Sequence, residues 1–215
     1  MTDLSGFSSR ILQLLADPAG SKFPQAQITE ALRMTLSDFS QANPVLASTV
    51  LTLPAASKLI DLTTLTGLLY PIKISCPYLD DSAEETETPF HFYLAGGIPT
   101  IALDSDTTPT AGDQAKIVFA KAHTIQSLDA APDTSILTVH DSMIVVGAAA
   151  YALDLRAAQL MEAYGQRSID ITRILTLAVN YHTRWETYLA TLKSYTWSLF
   201  PRGFALDQWD HRERI

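Results

Sequence analysis

The stretch from Asp141 to Leu199 constrains the fold most strongly, because it carries two long helical patterns joined at Gly165. In the second pattern, apolar and aromatic side chains recur at alternating spacings of four and three residues, which places them on one face of a helix. These side chains are Ile174, Ala178, Tyr181, Trp185, Tyr188, Leu192, Tyr195 and Leu199. The stretch therefore predicts an antiparallel helical hairpin.

The first helical pattern is rich in small side chains, which predicts a close approach by another helix. Its small residues include Gly147, Ala148, Ala149, Ala150, Ala152, Ala157 and Ala158. Interhelical distance depends on the side chains at the contact, so large rings can lie across such a face. Tyr181, Trp185 and Tyr188 suit that role.

The ends of the hairpin helices carry capping signals. Asp141 or Ser142 is expected to cap the first helix by accepting a hydrogen bond from a free backbone N–H. Gly165 can adopt the left-handed conformation that ends a helix, and Ser168 can cap the second helix. These signals place the turn of the hairpin between the two patterns.

Two shorter amphipathic helices are predicted at the start of the chain. The first runs from Leu4 to Leu15, and the second ends near Asn43 because Pro44 disfavours helical geometry in the residue before it. The apolar face of the first comprises Phe7, Ile11, Leu14 and Leu15, and that of the second comprises Ile28, Leu32, Leu36 and Phe39.

After Pro44 the apolar period changes from about 3.6 residues to about 2, the shift expected between helix and sheet. The predicted strands are STVLTL, Tyr70 to Tyr78, FHFYL, IPTIAL and AKIVFAKA. Prolines within Tyr70 to Tyr78 cannot donate ladder hydrogen bonds, so this strand is expected at a sheet edge. The last three strands predict a β-meander, and the stretch from Leu59 to Leu69 fits either a strand or a helical turn.

The predicted architecture is α+β. Residues 1–43 and 140–199 are expected to form a helical bundle, made of the two N-terminal helices and the long C-terminal hairpin. Residues 44–139 are expected to form an inserted antiparallel β-sheet region, and residues 200–215 an extended C-terminal tail.

Composition excludes several classes of function. The formal net charge of -8 disfavours non-specific binding to nucleic acid, because phosphate contacts need clustered lysines and arginines. Cys76 is the single cysteine, which excludes an internal disulfide and a multi-cysteine metal site. The longest apolar run, Met143 to Leu153, is shorter than the roughly 20 residues that span a bilayer. We therefore expect a soluble protein without a membrane partner.

Candidate catalytic motifs are weak. His140, Asp141 and Ser142 are the residue types of a hydrolase triad, but adjacent side chains cannot line up as nucleophile, base and orienting group. No G-x-S-x-G elbow occurs, and neither Gly112-Asp113 nor Gly96-Gly97 has the spacing of a phosphate-binding loop. The sequence predicts no catalytic residue and no enzyme activity.

The histidines do not predict a metal site. His182 and Glu186 lie four residues apart on one helix, but further ligands at matching spacing are lacking. A solvated pair is the preferred interpretation, and His91 and His123 are expected at the surface or in an interface. We predict neither metal nor cofactor.

The stretch from Leu79 to Thr88 is predicted to form an exposed acidic loop. It contains Asp80, Asp81, Glu84, Glu85 and Glu87 and no basic residue. Mutual repulsion keeps such a run solvated.

The last segment, Phe200 to Ile215, has neither helical nor strand periodicity but keeps several large apolar side chains. Such a terminal segment often docks onto a partner. Packing back onto its own domain is the alternative.

Taken together, these features resemble the head-to-tail adaptors of tailed bacteriophages, also called connector or neck proteins. The matching segments are ITEALRMTLSDFSQANP, LLYPIKISCPY, PTAGDQAKIVFAKAHTI and VVGAAAYALDLRAA. The last segment is the most specific, because it looks like the small-residue helix of that family. The resemblance covers roughly Pro24 to Trp197 and includes no catalytic signature.

The resemblance implies a ring, commonly of twelve copies, that binds the portal and extends the channel through which the genome passes. The implied partners are other copies of the chain, the portal protein, a downstream neck or tail protein, and DNA that passes without specific binding. The protein would lie in the neck of the virion, and in the host cytoplasm during assembly.

Two surfaces have roles under this resemblance. The tail would anchor on the portal, with Phe200, Arg202, Phe204, Leu206 and Trp209 as candidate contacts. The acidic loop would face the channel or the tail, where negative charge lets DNA slide without sticking.

Other functions stay open. One is a different neck or tail component, a stopper or terminator, although those proteins are usually dominated by sheet. Another is a soluble small-molecule-binding protein or enzyme without a recognisable motif, which a pocket with converging polar groups would indicate.

Overall fold

The computed structural model describes residues 2–78, 87–106, 108–164 and 169–199. These residues form four α-helices and six β-strands, so the fold is α+β, as the sequence predicted. The helices are α1 (Leu4–Leu14), α2 (Gln25–Ala42), α3 (Asp141–Tyr164) and α4 (Ile169–Leu199). The strands are β1 (Val45–Thr52), β2 (Leu59–Asp61), β3 (Leu68–Ser75), β4 (Phe90–Ala95), β5 (Ile98–Leu103) and β6 (Gln114–Lys121).

The chain divides into two compact units. The helical unit comprises residues 1–43 and 125–215, and the sheet unit comprises residues 44–124. The sequence predicts that residues 125–139 belong to the inserted β region, and this part of the prediction is wrong. In the structure Ile125, Leu128 and Ile136 are buried in the core of the helical unit, because this segment packs its apolar side chains against the helices.

The two N-terminal helices bury the faces that their periodicity predicts. Phe7 and Ile11 of α1 are fully buried, as are Ile28, Leu32 and Phe39 of α2. The carboxylate of Asp3 caps α1 by accepting a hydrogen bond of 2.8 Å from the backbone N–H of Gly6. Leu14, predicted on the buried face, is exposed where α1 ends.

Helices α3 and α4 pack against each other as the predicted hairpin. Ala148, Ala149 and Ala152 on α3 are fully buried. On α4, the side chains predicted to share one face are buried or half-buried wherever they are described, and these are Ile174, Ala178, Tyr181, Trp185, Tyr188 and Leu192. Gly165, Ser168 and the side chains of Tyr195 and Leu199 lie outside the described residues.

One helical segment is long and apolar enough to cross a membrane by length and composition alone. It runs from Thr138 to Ala163, and 56% of its most apolar window is buried inside the protein. Its apolar side chains, among them Ile144, Ala149 and Leu153, belong to the core of the helical unit. The apolar character of α3 is therefore accounted for by packing against α1, α2 and α4.

The sheet unit contains two antiparallel sheets of three strands each within the described residues, in the orders β1-β6-β3 and β2-β5-β4. We call them the first sheet and the second sheet. Strand β3 lies at an edge of the first sheet, as its prolines predicted. The stretch from Leu59 to Leu69 fitted either a strand or a helical turn, and in the structure it begins as the short strand β2.

The predicted meander is wrong in its last step. Strands β4 and β5 form a hairpin across Gly96-Gly97, but β6 pairs with β1 and β3 and not with β5. The alternate side chains Ala115, Ile117 and Phe119 of β6 are buried. Such a strand suits the centre of a sheet, and its pairing partners are distant in sequence.

Candidate functional site

The two surfaces singled out from the sequence lie almost entirely outside the described residues. Glu87 is described and is exposed, whereas Asp80, Asp81, Glu84 and Glu85 are outside the described ranges. All five candidate tail residues are outside them as well, namely Phe200, Arg202, Phe204, Leu206 and Trp209. The described residues that could form a site are therefore the polar and aromatic side chains of the helical unit and the exposed side chains of the strands.

The contact between α3 and α4 centres on a large ring against a glycine. A Cβ atom built on Gly147 would lie 2.8 Å from Cδ2 of Trp185. Real Cβ atoms essentially never come so close, so the indole occupies the space that a side chain would need. Trp185 is 1% exposed, and its ring stacks on Phe39 with centroids 6.4 Å apart.

A carboxylate of α2 accepts hydrogen bonds from both arms of the hairpin. The hydroxyl of Tyr151 on α3 donates to Asp38, and Nε1 of Trp185 on α4 lies 3.5 Å from the same oxygen. Burial and the neighbouring Asp38 carboxylate raise the pKa of the Tyr151 phenol well above its usual range, so this tyrosine remains a donor. This contact ties three helices together.

A second polar pair joins α3 to α4. Nε2 of His182 lies 2.6 Å from Oδ2 of Asp154, and the edge of the His182 ring meets Tyr151 with centroids 5.0 Å apart. The sequence interpretation that paired His182 with Glu186 in solvent is therefore wrong. Asp154 was visible as an acid in the first arm, but the register between the two helices could not be read from the sequence.

His140 forms a third contact, at the start of α3. Its Nδ1 lies 2.5 Å from the Tyr188 hydroxyl, and its ring tilts against Phe39 with centroids 5.2 Å apart. Desolvation by burial lowers the pKa of His140, and the charge of Asp141 only partly offsets this effect. The imidazole of His140 therefore packs between Phe39 of α2 and Tyr188 of α4, and its Nδ1 is hydrogen-bonded to the Tyr188 hydroxyl.

Asp141 does not cap α3 in the predicted way. Its Oδ2 accepts a hydrogen bond of 2.5 Å from the hydroxyl of Thr2 and lies 3.3 Å from NH1 of Arg10. The carboxylate therefore ties the N-terminal segment to the hairpin. Asp141 is thus directed toward Arg10 of α1, whereas His140 meets Tyr188 of α4.

The remaining histidines differ from one another. His91 on β4 is exposed, as expected, but His123 is 8% exposed, so its expected surface position is wrong. Among the described residues, no group of three or more His, Cys, Asp or Glu side chains could hold a metal ion.

Two open depressions indent the helical unit. One holds about 380 Å³ and is lined by Met143, Thr183, Arg184, Thr187, Tyr188 and Thr191. The other holds about 410 Å³ beside α1. The depression beside α1 is lined mostly by polar side chains: Asp3, Ser5, Ser8, Ser9, Gln25 and Ser127. Both depressions are open to solvent and lack the enclosure of a typical small-molecule site.

Uncharged side chains are exposed on both units. On α4, Val179 is 61% exposed and is followed by Thr183, Thr187 and Thr191, whose hydroxyls donate to the carbonyl four residues earlier. On the sheet unit, Leu46 is 57% and Leu94 is 67% exposed. Clusters of exposed apolar side chains commonly mark interaction surfaces.

No protein-family model matches the chain, and no curated protein matches its sequence. The contacts of Asp38, Asp154 and Asp141 join helices of the helical unit, and exposed uncharged side chains on α4, β1 and β4 could contact a partner.

Proposed function

We propose that this protein is a structural component of a virion, a head-to-tail adaptor that assembles into a ring beneath the portal. The ring, commonly of twelve copies in the family that the sequence resembles, would extend the DNA channel and connect the capsid to the tail. It would act by assembly and not by catalysis, in the neck of the virion, after folding in the host cytoplasm.

The observation that carries this proposal is the packing of α4 on α3. A face of alanines and Gly147 receives Trp185, and Asp38 connects both helices to α2. The same small-residue segment, VVGAAAYALDLRAA, is the most specific part of the resemblance to adaptors. Partly buried polar contacts of this kind rigidify a scaffold, which suits the subunit of a ring.

The distribution of chemistry also supports an assembly role. The carboxylates of Asp38, Asp154 and Asp141 each meet a partner on another part of the helical unit, and none of them lines either of the two described depressions. In contrast, the exposed apolar side chains on both units are suited to burial between copies. A closed ring needs two different surfaces on each subunit.

The acidic loop and the tail have distinct roles in the proposal. Negative charge at Asp80, Asp81, Glu84, Glu85 and Glu87 would keep the channel or tail side from binding DNA. The tail from Phe200 to Ile215 would supply large apolar side chains to the portal. A stopper or terminator remains the alternative within the neck.

The proposal is tested with purified full-length protein and the portal protein encoded in the same genome. Light scattering gives the mass of the protein alone and after mixing, and electron microscopy gives the shape of the particles. We expect rings that lie coaxially on the portal. A protein that ignores the portal at all concentrations would overturn the proposal and direct attention to the depressions beside α1 and α4.

A further inference from the structure

The edge strands of the sheet unit are β1 and β3 in the first sheet and β2 and β4 in the second. In the described structure β1 pairs only with β6, and β4 pairs in a ladder only with β5. The outer edge of β4 is taken at its start, where the N–H of Thr88 donates to the carbonyl of Ile74 on β3 at 2.8 Å, and no described strand pairs with it further along. An unpaired edge presents backbone N–H and C=O groups that can pair with another chain. The register of each ladder identifies the residues of β1 and β4 that carry those groups.

The open groups of β1 follow from the alternation of an antiparallel ladder. The N–H of Leu53 donates to the carbonyl of Asp113 at 2.8 Å. By the alternation of the ladder, the backbone N–H and C=O groups of residues 51, 49 and 47 also point toward β6. The intervening residues Leu46, Ser48 and Val50 therefore direct their N–H and C=O groups away from β6. Their side chains are exposed as well.

The same reasoning applies to β4. On β5, Pro99 and Leu103 direct their backbone groups toward β2. The carbonyl of Pro99 accepts from the N–H of Leu62, and the N–H of Leu103 donates to the carbonyl of Lys58, each at 2.9 Å. The residues of β4 opposite these groups face outward in turn. By register they include Leu94, opposite Pro99, and Phe92 two residues earlier.

Pro44 and Pro54 flank β1, and Pro89 precedes β4, but within the two strands the usual protection against pairing is lacking. Edge strands are commonly blunted by prolines, lysines, bulges or shortness. Strand β3 has Pro71, Lys73 and two register shifts, and β2 is three residues long. By contrast, residues 44–57 and 88–103, which contain β1 and β4, include no Asp, Glu, Lys or Arg.

The two sheets carry opposite charges. The strands of the first sheet contain three lysines and no acid: Lys73, Lys116 and Lys121. The second sheet contains Asp61, and Lys58, Glu87 and Asp104 flank its strands, whereas one acid, Asp113, directly precedes β6 of the first sheet. With these flanking residues included, the first sheet is still net positive and the second net negative. Two copies of a chain with net charge -8 repel each other overall, but these sheets attract.

We propose that the open edge of β1 in one copy pairs with the open edge of β4 in the next, so that the first sheet continues into the neighbour's second sheet. The occupant is a second copy because one chain carries both unlike edges and both charges, the arrangement that a head-to-tail interface needs. Because β3 occupies the outer edge at Thr88, the junction is confined to about the last four residues of β4, Phe92 to Ala95, and is roughly 13 Å long. This inference rests on the proposed ring and specifies how neighbouring subunits join.

Three variants of the full chain test the junction. Ser48→Pro removes an outward N–H of β1 without breaking its ladder to β6, and Leu94→Lys places a lysine on β4 against the lysines of the first sheet. Val179→Lys adds the same charge to an equally exposed site on α4. Sedimentation velocity and native mass spectrometry measure assembly, and circular dichroism checks folding. Val50→Glu replaces Ser48→Pro if the proline variant unfolds.

We expect the wild type and Val179→Lys to form the same oligomer and the two edge variants to remain monomeric. An equimolar mixture of the edge variants should give a one-to-one dimer and nothing larger, because only the intact β4 of Ser48→Pro and the intact β1 of Leu94→Lys can pair. A monomeric wild type, or oligomers that survive both edge substitutions, would overturn the junction. Loss of assembly in Val179→Lys alone would assign the interface to α4.

Portal binding separates this inference from the proposed function. Rings that sit on the portal but tolerate both edge substitutions retain the adaptor role and reject the sheet junction. If the oligomers depend on the two edges but do not bind the portal, the sheet junction is supported and the adaptor role is overturned.

Discussion

The indole of Trp185 lies against the bare backbone of Gly147, where an added Cβ would come 2.8 Å from Cδ2 of the ring. The same Cβ would also lie 2.8 Å from Cγ2 of Thr35 on α2. Three helices therefore meet at one residue without a side chain. Interiors this closely packed respond to a single added methyl group.

Gly147→Ala should destabilise the helical unit, although alanine is the better helix former by about 1 kcal/mol. Overpacking against two neighbours should outweigh that gain and reduce the free energy of unfolding by about 1–3 kcal/mol. Urea unfolding followed by tryptophan fluorescence measures the change. In a Thr35→Ser background, which removes one of the three crowded atoms, the loss should be smaller. A variant as stable as the wild type would contradict the contact.

Tyr151→Phe should also weaken the helical unit, because it removes the hydroxyl that donates to Asp38. Asp38 would keep only the longer contact to Nε1 of Trp185, and a partly buried carboxylate that loses its closer partner costs about 1–3 kcal/mol. Asp38→Asn is the matched control, since its amide oxygen still accepts from the phenol, and we expect the smaller loss there. Equal stabilities of Tyr151→Phe and the wild type in urea unfolding would show that this hydrogen bond contributes nothing.

The hairpin could be predicted from the sequence because its signal is local. Ile174, Trp185 and Leu192 recur with the period of one helix face, and such a face must be covered whatever its partner. The position of β6 could not be predicted in the same way. Its pairing with β1 joins residues as far apart as Val45 and Lys121, and nothing in either strand specifies which neighbour it takes.

The polar contacts were missed for a related reason. Asp38 and Tyr151 are separated by 113 residues, and Asp154 and His182 by 28. Each residue alone has the sequence character of a solvated side chain on an amphipathic helix. Only the rotation and offset of the packed helices decide that they meet, and composition does not encode those quantities.

Protonation of His140 should oppose folding. Burial lowers its folded-state pKa below the ordinary value of 6.5, so the folded protein favours the neutral ring. This contribution to stability is complete above the unfolded pKa and is lost as the pH falls through the folded pKa. An NMR titration of the imidazole should therefore give a midpoint below 6.5.

The corresponding stability profile provides the control. The free energy of unfolding should decline as the pH falls below 6.5, and His140→Gln should flatten that decline. His91→Gln, on an exposed strand position, should leave the contribution of His140 in place. A midpoint above 6.5 would mean that the charge of Asp141 outweighs desolvation at this site.

The tail should bind the portal through its aromatic side chains. Truncating a central aromatic contact typically costs about 2 kcal/mol or more, so Phe204→Ala and Trp209→Ala should each weaken portal binding at least roughly thirtyfold. Biolayer interferometry on immobilised portal measures the affinity. Asp207→Ala with Gln208→Ala is the matched control, because it changes two neighbouring side chains without removing an apolar anchor, and it should bind nearly as the wild type does. If the aromatic variants instead lower the free energy of unfolding and leave portal affinity unchanged, the tail packs onto its own domain and the portal must be bound by another surface.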